Sequence, residues 1–207
     1  MNFLPYIKYL SEAKNWRGHG IHSPFAFDLV HNVMSEKNPH YAFERLRSIA
    51  GKQKKTDRKR RELLFRVLNN AACKHLLIIG GSEADAMYLA CVNSSATCIF
   101  ISQTVKQDFF GKFKNIRVVK TLQEALSQFP TPDFVLFGKT EEKEITKCLQ
   151  HINQETIFAF LDTYERNAEN WTFISGQPQV RLKIRTFRLG LIYFNTEIQK
   201  GNYTLLY

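Results

Sequence analysis

No apolar run in this 207-residue sequence exceeds strand length. The longest, such as Leu76–Ile79 and Ile157–Leu161, fall far short of the ~20 residues that cross a bilayer. The opening MNFLPYIKYLSEAKNW has neither a long apolar stretch nor a small-residue cleavage site, so no signal peptide and a cytoplasmic location are expected. Cysteine is sparse: Cys73, Cys91, Cys98 and Cys148 form no CxxC pair and have no histidine at ligand spacing. That excludes a structural zinc site and leaves free thiols of a reduced compartment. The G-x-G-x-x-G fingerprint is absent as well, which disfavours NAD or FAD. Internal repeats and low-complexity tracts are absent too. Acids are few, with 19 Asp and Glu against 29 Lys and Arg, for a net charge of +10.

An apolar fraction of 44% with 13% aromatics fills a core and argues against disorder. The excess positive charge is uneven. Residues 1–70 hold 14 basic and 6 acidic residues, whereas residues 71–207 hold 15 and 13. Most of it lies in Lys52–Arg61 (KQKKTDRKRR), with seven basic residues and one acid. Such a run suits a polyanion through counterion release, and equally a solvated loop and first helical turn. No aromatic residue interleaves it to stack bases, and no nucleic-acid motif accompanies it.

Residues 1–70 read as a basic helical extension and 71–207 as an α/β domain. Phe3, Tyr6, Ile7 and Leu10 recur at helical spacing. Ser23-Pro24 is a helix start, with a serine oxygen to cap free N–H groups and a proline suited to the first position. Phe27, Val30, Val33 and Met34 then line one face, Tyr41–Ile49 forms a third helix, and Leu63, Leu64, Val67 and Leu68 stripe a fourth. Beyond residue 70 the period changes. The β-rich runs His75–Ile79, Thr97–Ser102, Ile116–Lys120, Asp133–Phe137 and Thr156–Leu161 alternate with helical segments. That pattern predicts right-handed βαβ units and a parallel sheet covered on both faces. Gln179–Phe187 and Leu191–Asn195 are separated only by Arg188-Leu189-Gly190, too short for a crossover, so they pair antiparallel. Tyr203–Tyr207 offers a further strand, and the expected total is about seven.

At Ile78-Ile79-Gly80-Gly81-Ser82 the first strand meets the first helix, where doubly wound sheets bind ligands. Glycines permit a sharp turn and close approach, and Ser82 caps a helix whose first turn carries Glu83 and Asp85. Those acids occupy the field an anion would otherwise take, so a pyrophosphate is repelled. S-adenosylmethionine, which has no phosphate and carries a sulfonium cation, tolerates such a site better. A tight turn with an ordinary cap explains the same residues.

Two stretches carry a resemblance. Arg17-Gly-His-Gly-Ile-His-Ser-Pro-Phe25 is similar to the His-Gly-x-His-Ser-Pro-Phe signature of a family of bacterial class I S-adenosylmethionine-dependent methyltransferase-like proteins. Phe187-Arg-Leu-Gly-Leu-Ile-Tyr-Phe194 resembles that family's ending. The resemblance implies the Rossmann-like methyltransferase fold over nearly the whole chain, finished by an antiparallel hairpin. It also implies Gly80, Gly81, Ser82 and Ser102 as cofactor-binding positions. Several positions depart from the family's pattern: Ile78 replaces an acid, Glu83 a glycine, and Ser102 the acid expected on the ribose hydroxyls. Phe137-Gly138-Lys139-Thr140 stands where the family reads Asp-Gly-Asn-His, and Leu161 precedes the one surviving aspartate, Asp162. Serine replaces only part of what a carboxylate offers two hydroxyls. Phe137 and Leu161 cannot ligate a hard cation, so no metal is expected.

The catalytic candidates are His22, Asp162 and Tyr164. His19 and His22 flank Gly20 ahead of the capped helix, as a base near neutral pH or as backbone anchors. Asp162 and Tyr164 follow a strand's carboxyl end, at a ligand site or as a plain helix cap. Trp16 and Trp171 read as core or interface aromatics, and Lys139 as a loop charge near the cleft. Two function classes follow: a metal-free methyltransferase acting on a small-molecule acceptor, and a methyltransferase-like binding or scaffold protein without catalysis. Polyanion contact through Lys52–Arg61 is a third, and no membrane contact is expected.

Overall fold

The computed structural model describes residues 3–15, 19–93 and 95–207, so Trp16, Arg17 and Gly18 lie outside the described residues. Its centre is one eight-stranded sheet. Strands β1 (His75–Ile79), β2 (Thr97–Ile101), β3 (Ile116–Val119), β4 (Phe134–Phe137) and β5 (Ile157–Leu161) are the five apolar runs expected. Helices α5 (Glu83–Ala90), α6 (Leu122–Gln128), α7 (Glu142–Leu149) and α8 (Ala168–Ser175) follow β1, β3, β4 and β5, and a 3₁₀ turn (Gln107–Phe110) follows β2.

With β6 (Leu182–Arg185), β7 (Leu189–Tyr193) and β8 (Gly201–Thr204), the order is β3-β2-β1-β4-β5-β7-β6-β8. Strand β7 is antiparallel to β5 and β6; every other pairing is parallel. The sheet therefore has eight strands rather than about seven, because Gly201–Thr204 pairs with β6 instead of staying outside. The hairpin turn also differs, falling at residues 186–188 rather than 188–190. Gly190 belongs to the strand because Trp171 packs against it, where a Cβ would come within 2.2 Å of the ring.

Alternation sorts the strands into two cores. Leu76, Ile78, Cys98, Phe100, Phe134 and Leu136 face the N-terminal helices and α5. Leu77, Ile79, Ile99, Val135, Phe158 and Phe160 face α6, α7 and α8.

The N-terminal helices are α1 (Leu4–Glu12), α2 (Pro24–Asp28) running on into a π-helical segment (Leu29–Met34), α3 (Ala42–Ile49) and α4 (Lys55–Ala71). The Ser23 hydroxyl caps α2 by accepting from the Ala26 N–H at 3.3 Å. Leu63, Leu64, Val67 and Leu68 are buried as expected. The first helix forms where the spacing indicated; Phe3, Tyr6, Ile7 and Leu10 are exposed, and Tyr9 is the residue buried. Its hydroxyl donates to the Leu205 carbonyl at 2.7 Å, tying α1 to the chain's end. Phe27 is exposed too, stacked on His31.

Two contacts fix the region above β1. In the first, α4 is clamped onto α5. Asp85 is 2% exposed, and its Oδ1 accepts from Arg60 Nη2 at 3.0 Å and Arg61 Nε at 2.8 Å. Its Oδ2 accepts from the Ser82 N–H and hydroxyl at 2.9 and 2.7 Å, completing a capping box. Burial alone would push this carboxyl up, but the two guanidiniums and the Ser82 bonds outweigh it and hold it below its ordinary 3.8.

In the second, the loop after β4 is zipped onto the loop after β1. Gly138 N–H donates to the Ile79 carbonyl at 2.8 Å and Lys139 N–H to that of Gly80 at 3.0 Å. Gly80 sits at φ +64°, and a Cβ there would lie 1.9 Å from the Lys139 carbonyl oxygen. A Cβ on Gly138 would lie 2.0 Å from the Gly80 oxygen. Only hydrogen at both positions allows this approach.

Replacing Asp85 by Asn leaves two buried guanidiniums facing a neutral amide, and urea unfolding at pH 7 is expected to show a loss of about 3 kcal/mol. The folded-state value is depressed, so the Asp85 contribution is full above the unfolded-state value and fades as pH falls below it. Wild-type stability measured from pH 6 to 2 is expected to drop through that range, and the Asp85→Asn curve to be flatter. Gly138→Ala is expected to cost about 3 kcal/mol in the same assay. Gly176→Ala is the control: the added Cβ would come no nearer than 3.5 Å to its neighbours, and little change is expected.

Candidate functional site

In a doubly wound sheet the ligand crevice opens outside the carboxyl ends of the strands, where the order reverses. Here the reversal lies between β1 and β4, the two strands whose loops are zipped together. Asn167 adds a third loop, its side-chain N–H donating to the Gly138 and Leu161 carbonyls. The crevice directly above β1 and β4 is thus closed by backbone.

An open cleft of about 420 Å³ remains beside it, over the ends of β1, β2 and β3. Gly80 and Ser102 line it, while Gly81 and Ser82 are not among its lining residues. Ser82 is committed elsewhere: its hydroxyl donates to Asp85 and accepts from Asp85 N–H and Arg61 Nη2. Ser102 Oγ accepts from the Thr104 and Val105 N–H groups at 3.3 and 3.0 Å, so it shapes its own loop. Gln103 Nε2 donates to the Lys120 carbonyl at 2.6 Å. Of the four cofactor positions the sequence indicated, two meet at this cleft and two belong to the α5 cap.

Electrostatically the cleft is cationic. Lys120, Lys139, Lys143 and Lys147 line it against one acid, Glu144. Glu144 Oε2 is held by the Thr140 hydroxyl at 2.6 Å and the Glu141 N–H at 3.1 Å, and Lys143 pairs with Glu141 at 2.6 Å. Only Lys139 stood out in the sequence. The signal for the others was there: Lys120 directly follows β3, and Lys143 and Lys147 sit four apart on the helix after β4, hence on one face.

The catalytic candidates do not form a set. Asp162 is 1% exposed at φ +51°, ion-paired with Arg166 and with Arg188 at 3.1 Å, and Arg188 also reaches Glu165 at 2.7 Å. Tyr164 is buried; its hydroxyl donates to Glu12 at 2.6 Å and the Arg185 guanidinium lies 3.5 Å over its ring. Burial, then the bond to Glu12, pushes the phenol well up, so it stays protonated and is no base near neutral pH. His22 is exposed, between buried Ile21 and Ser23. Among the described residues, no hydrogen bond or ion pair joins it to Asp162 or Tyr164. His19 is exposed, and its carbonyl accepts from Asn15.

A second space of about 470 Å³ lies beneath α1 at the hairpin tip. Tyr6, Tyr9, Leu63, Phe187 and Tyr207 wall it, with Lys59, Arg60 and Arg188 at its polar side. Phe187 anchors this region, stacking with Tyr164 and meeting Tyr6 edge-on.

The basic run Lys52–Arg61 divides. Arg60 and Arg61 are buried on Asp85, and Arg58 lies 3.8 Å from Glu62. Lys52, Lys54, Lys55 and Lys59 are exposed.

The cysteines are free, and burial pushes the thiols of Cys73 and Cys148 up to about 12, away from nucleophilic thiolates. Among the described residues no group of three His, Cys, Asp or Glu is placed to hold a metal ion. Nor is any helix of theirs long and apolar enough to cross a membrane.

No protein-family model and no curated protein matches the sequence. Solved structures do. A protein named as a caffeoyl-CoA O-methyltransferase from Staphylococcus aureus superposes with a TM-score of 0.55 at 11% identity, over 75% of this chain and 93% of that one. A methyltransferase from Geobacter sulfurreducens gives 0.54 at 10%, over 77% and 93%. An O-methyltransferase from Bacillus cereus in complex with SAH (S-adenosylhomocysteine) gives 0.51 at 11%, over 80% and 96%. At such identities the likeness is one of architecture: an α/β fold with a mostly parallel central sheet and an antiparallel strand near its end, as in the Rossmann-like methyltransferases.

Proposed function

We propose that this chain is a member of the S-adenosylmethionine-dependent methyltransferase family with an eroded cofactor site, which transfers methyl groups weakly or not at all and serves as a binding module. The histidine-bearing N-terminal stretch and the ending at Phe187–Phe194 support the family. The residues at the cleft do not fit the cofactor. No carboxylate stands at the end of β2 for the ribose hydroxyls, since the position is Ser102. Ser82 is consumed by its own helix cap, and four lysines face a ligand that carries a sulfonium.

The observation that carries the loss of catalysis is a separation. Methyl transfer needs donor and acceptor atoms within about 3–3.5 Å in line. The cleft at Gly80 and the apolar cavity under α1, the natural place for a small-molecule acceptor, share no lining residue among those described. Between them run the Gly80–Gly138 contact and the Arg60–Asp85–Ser82 network.

Calorimetry with S-adenosylmethionine and S-adenosylhomocysteine tests this reading, together with transfer of labelled methyl to small phenols and carboxylic acids. Binding weaker than micromolar and no acceptor labelling above buffer are expected; micromolar binding with labelled product would overturn it. Ser102→Asp restores an acid to the ribose position and is expected to tighten S-adenosylhomocysteine binding about tenfold, the order of one charge-assisted contact.

Polyanion contact through Lys52–Arg61 is a second reading, favoured by the four exposed lysines at the start of α4. Heparin retention is expected to move to lower salt when Lys52, Lys54, Lys55 and Lys59 are made neutral; unchanged retention removes it.

A further inference from the structure

We propose that the cleft over β1, β2 and β3 binds a phosphate-bearing nucleotide. The proposal rests on the reading of this cleft as a binding site that has lost methyl transfer, and it names the ligand class.

Three separate elements bring the charge together. Lys120 comes from the end of β3, Lys139 from the loop after β4, and Lys143 and Lys147 from one face of α7. For Lys120, Lys139 and Lys147, no carboxylate lies within ion-pairing distance among the described residues. The one acid at the cleft, Glu144, has an oxygen already held by a hydroxyl and an N–H. Like charges gathered at one rim repel one another, and a cleft lined by one sign concentrates the opposite ion. S-adenosylmethionine is net cationic and gains nothing here, whereas a phosphate gains several charge-assisted contacts.

The remainder of the cleft is built for something less polar than phosphate. Ile79, Ile101 and Leu122 give it an apolar floor. Ser102 accepts two backbone N–H groups, which leaves its own hydroxyl proton to donate to a sugar oxygen. At about 420 Å³ the space falls within the range of small-molecule sites, about 300–1,000 Å³. Apolar surface, a hydroxyl donor and cationic side chains are the three chemistries that base, sugar and phosphate require. Glu83 and Asp85, which would repel an anion at the start of α5, are not among the lining residues.

The experiment is calorimetry on the full chain with ADP, pyrophosphate and S-adenosylhomocysteine as probes. It compares wild type, Lys139→Met/Lys147→Met, Ser102→Asp, and a control with Lys52, Lys54 and Lys55 made neutral. All the lysines changed are exposed, and circular dichroism is expected to show each variant folded. ADP is expected to bind at least tenfold more tightly than S-adenosylhomocysteine and more tightly than pyrophosphate, with affinity falling as salt rises. The double lysine variant is expected to lose at least about tenfold in ADP affinity, the order of a charge-assisted contact or more. The control should keep it. Ser102→Asp is expected to weaken ADP while tightening S-adenosylhomocysteine.

Pyrophosphate binding as tightly as ADP would reduce the cleft to a general anion site and overturn the nucleotide assignment. An ADP affinity unchanged by the double variant, or abolished by the control, would place the ligand elsewhere and also overturn it. Micromolar S-adenosylhomocysteine with no ADP binding sinks this inference together with the loss of cofactor affinity. No binding by either sinks this inference alone.

Discussion

A carboxylate shut away from water between two guanidiniums cannot release both without stranding its own charge. Asp85 is in that position, and its partners come from two ends of the architecture. Arg60 and Arg61 belong to the helix that precedes the sheet, Ser82 to the turn that leaves its first strand. The clamp therefore fixes α4 on α5 and at the same time uses up the polar groups that a turn of this kind would otherwise offer a ligand. From there the rest follows in sequence. Gly80 takes the backbone of the β4 loop directly against it, and the crevice at the strand reversal closes.

The Asp162–Tyr164 segment serves the neighbouring half of the molecule in the same manner. Arg185 lies over the Tyr164 ring and 3.5 Å from Glu12, while Tyr164 donates to that same Glu12. Phe187 and Tyr9 pack around the pair. Cation, phenol and carboxylate together pin α1 to the hairpin, and a phenol whose proton is held by burial and a carboxylate acts as a strut. Asp162, with Arg166 and Arg188 on its two oxygens, organises the loop that follows β5.

Much of this was legible in the chain. The five parallel strands announced themselves because runs such as Leu76–Ile79 are apolar on both faces, a pattern only a covered sheet accommodates. The short link after β6 foretold an antiparallel partner for the same reason of reach. Spacing did not reveal which residues are buried. Phe3, Tyr6, Ile7 and Leu10 have helical spacing yet face outward, since α1 is held by the Tyr9 hydroxyl rather than by an apolar stripe. Lys52–Arg61 read as one surface run, but a buried acid 24 residues beyond Arg61 draws two of its arginines inward. Local composition does not reveal a partner that distant. The lysine-lined cleft was invisible in a similar way. Lys139 stood out as a loop charge near the cleft, but only the sheet order makes Lys120 and Lys147 its neighbours.

The substitutions at this site also hang together once charge is considered. Ser102 at the end of β2 offers a hydroxyl where a carboxylate would balance a cationic ligand and orient a sugar. Lys120, Lys139 and Lys147 line the same cleft and make its field positive. A cationic rim above the apolar residues Ile101 and Leu122 suits the phosphate-bearing ligand proposed above better than it suits S-adenosylmethionine. The fold leaves the rim free to carry such charge because its stability resides in the two cores and the Asp85 clamp, none of which depends on what sits at the rim.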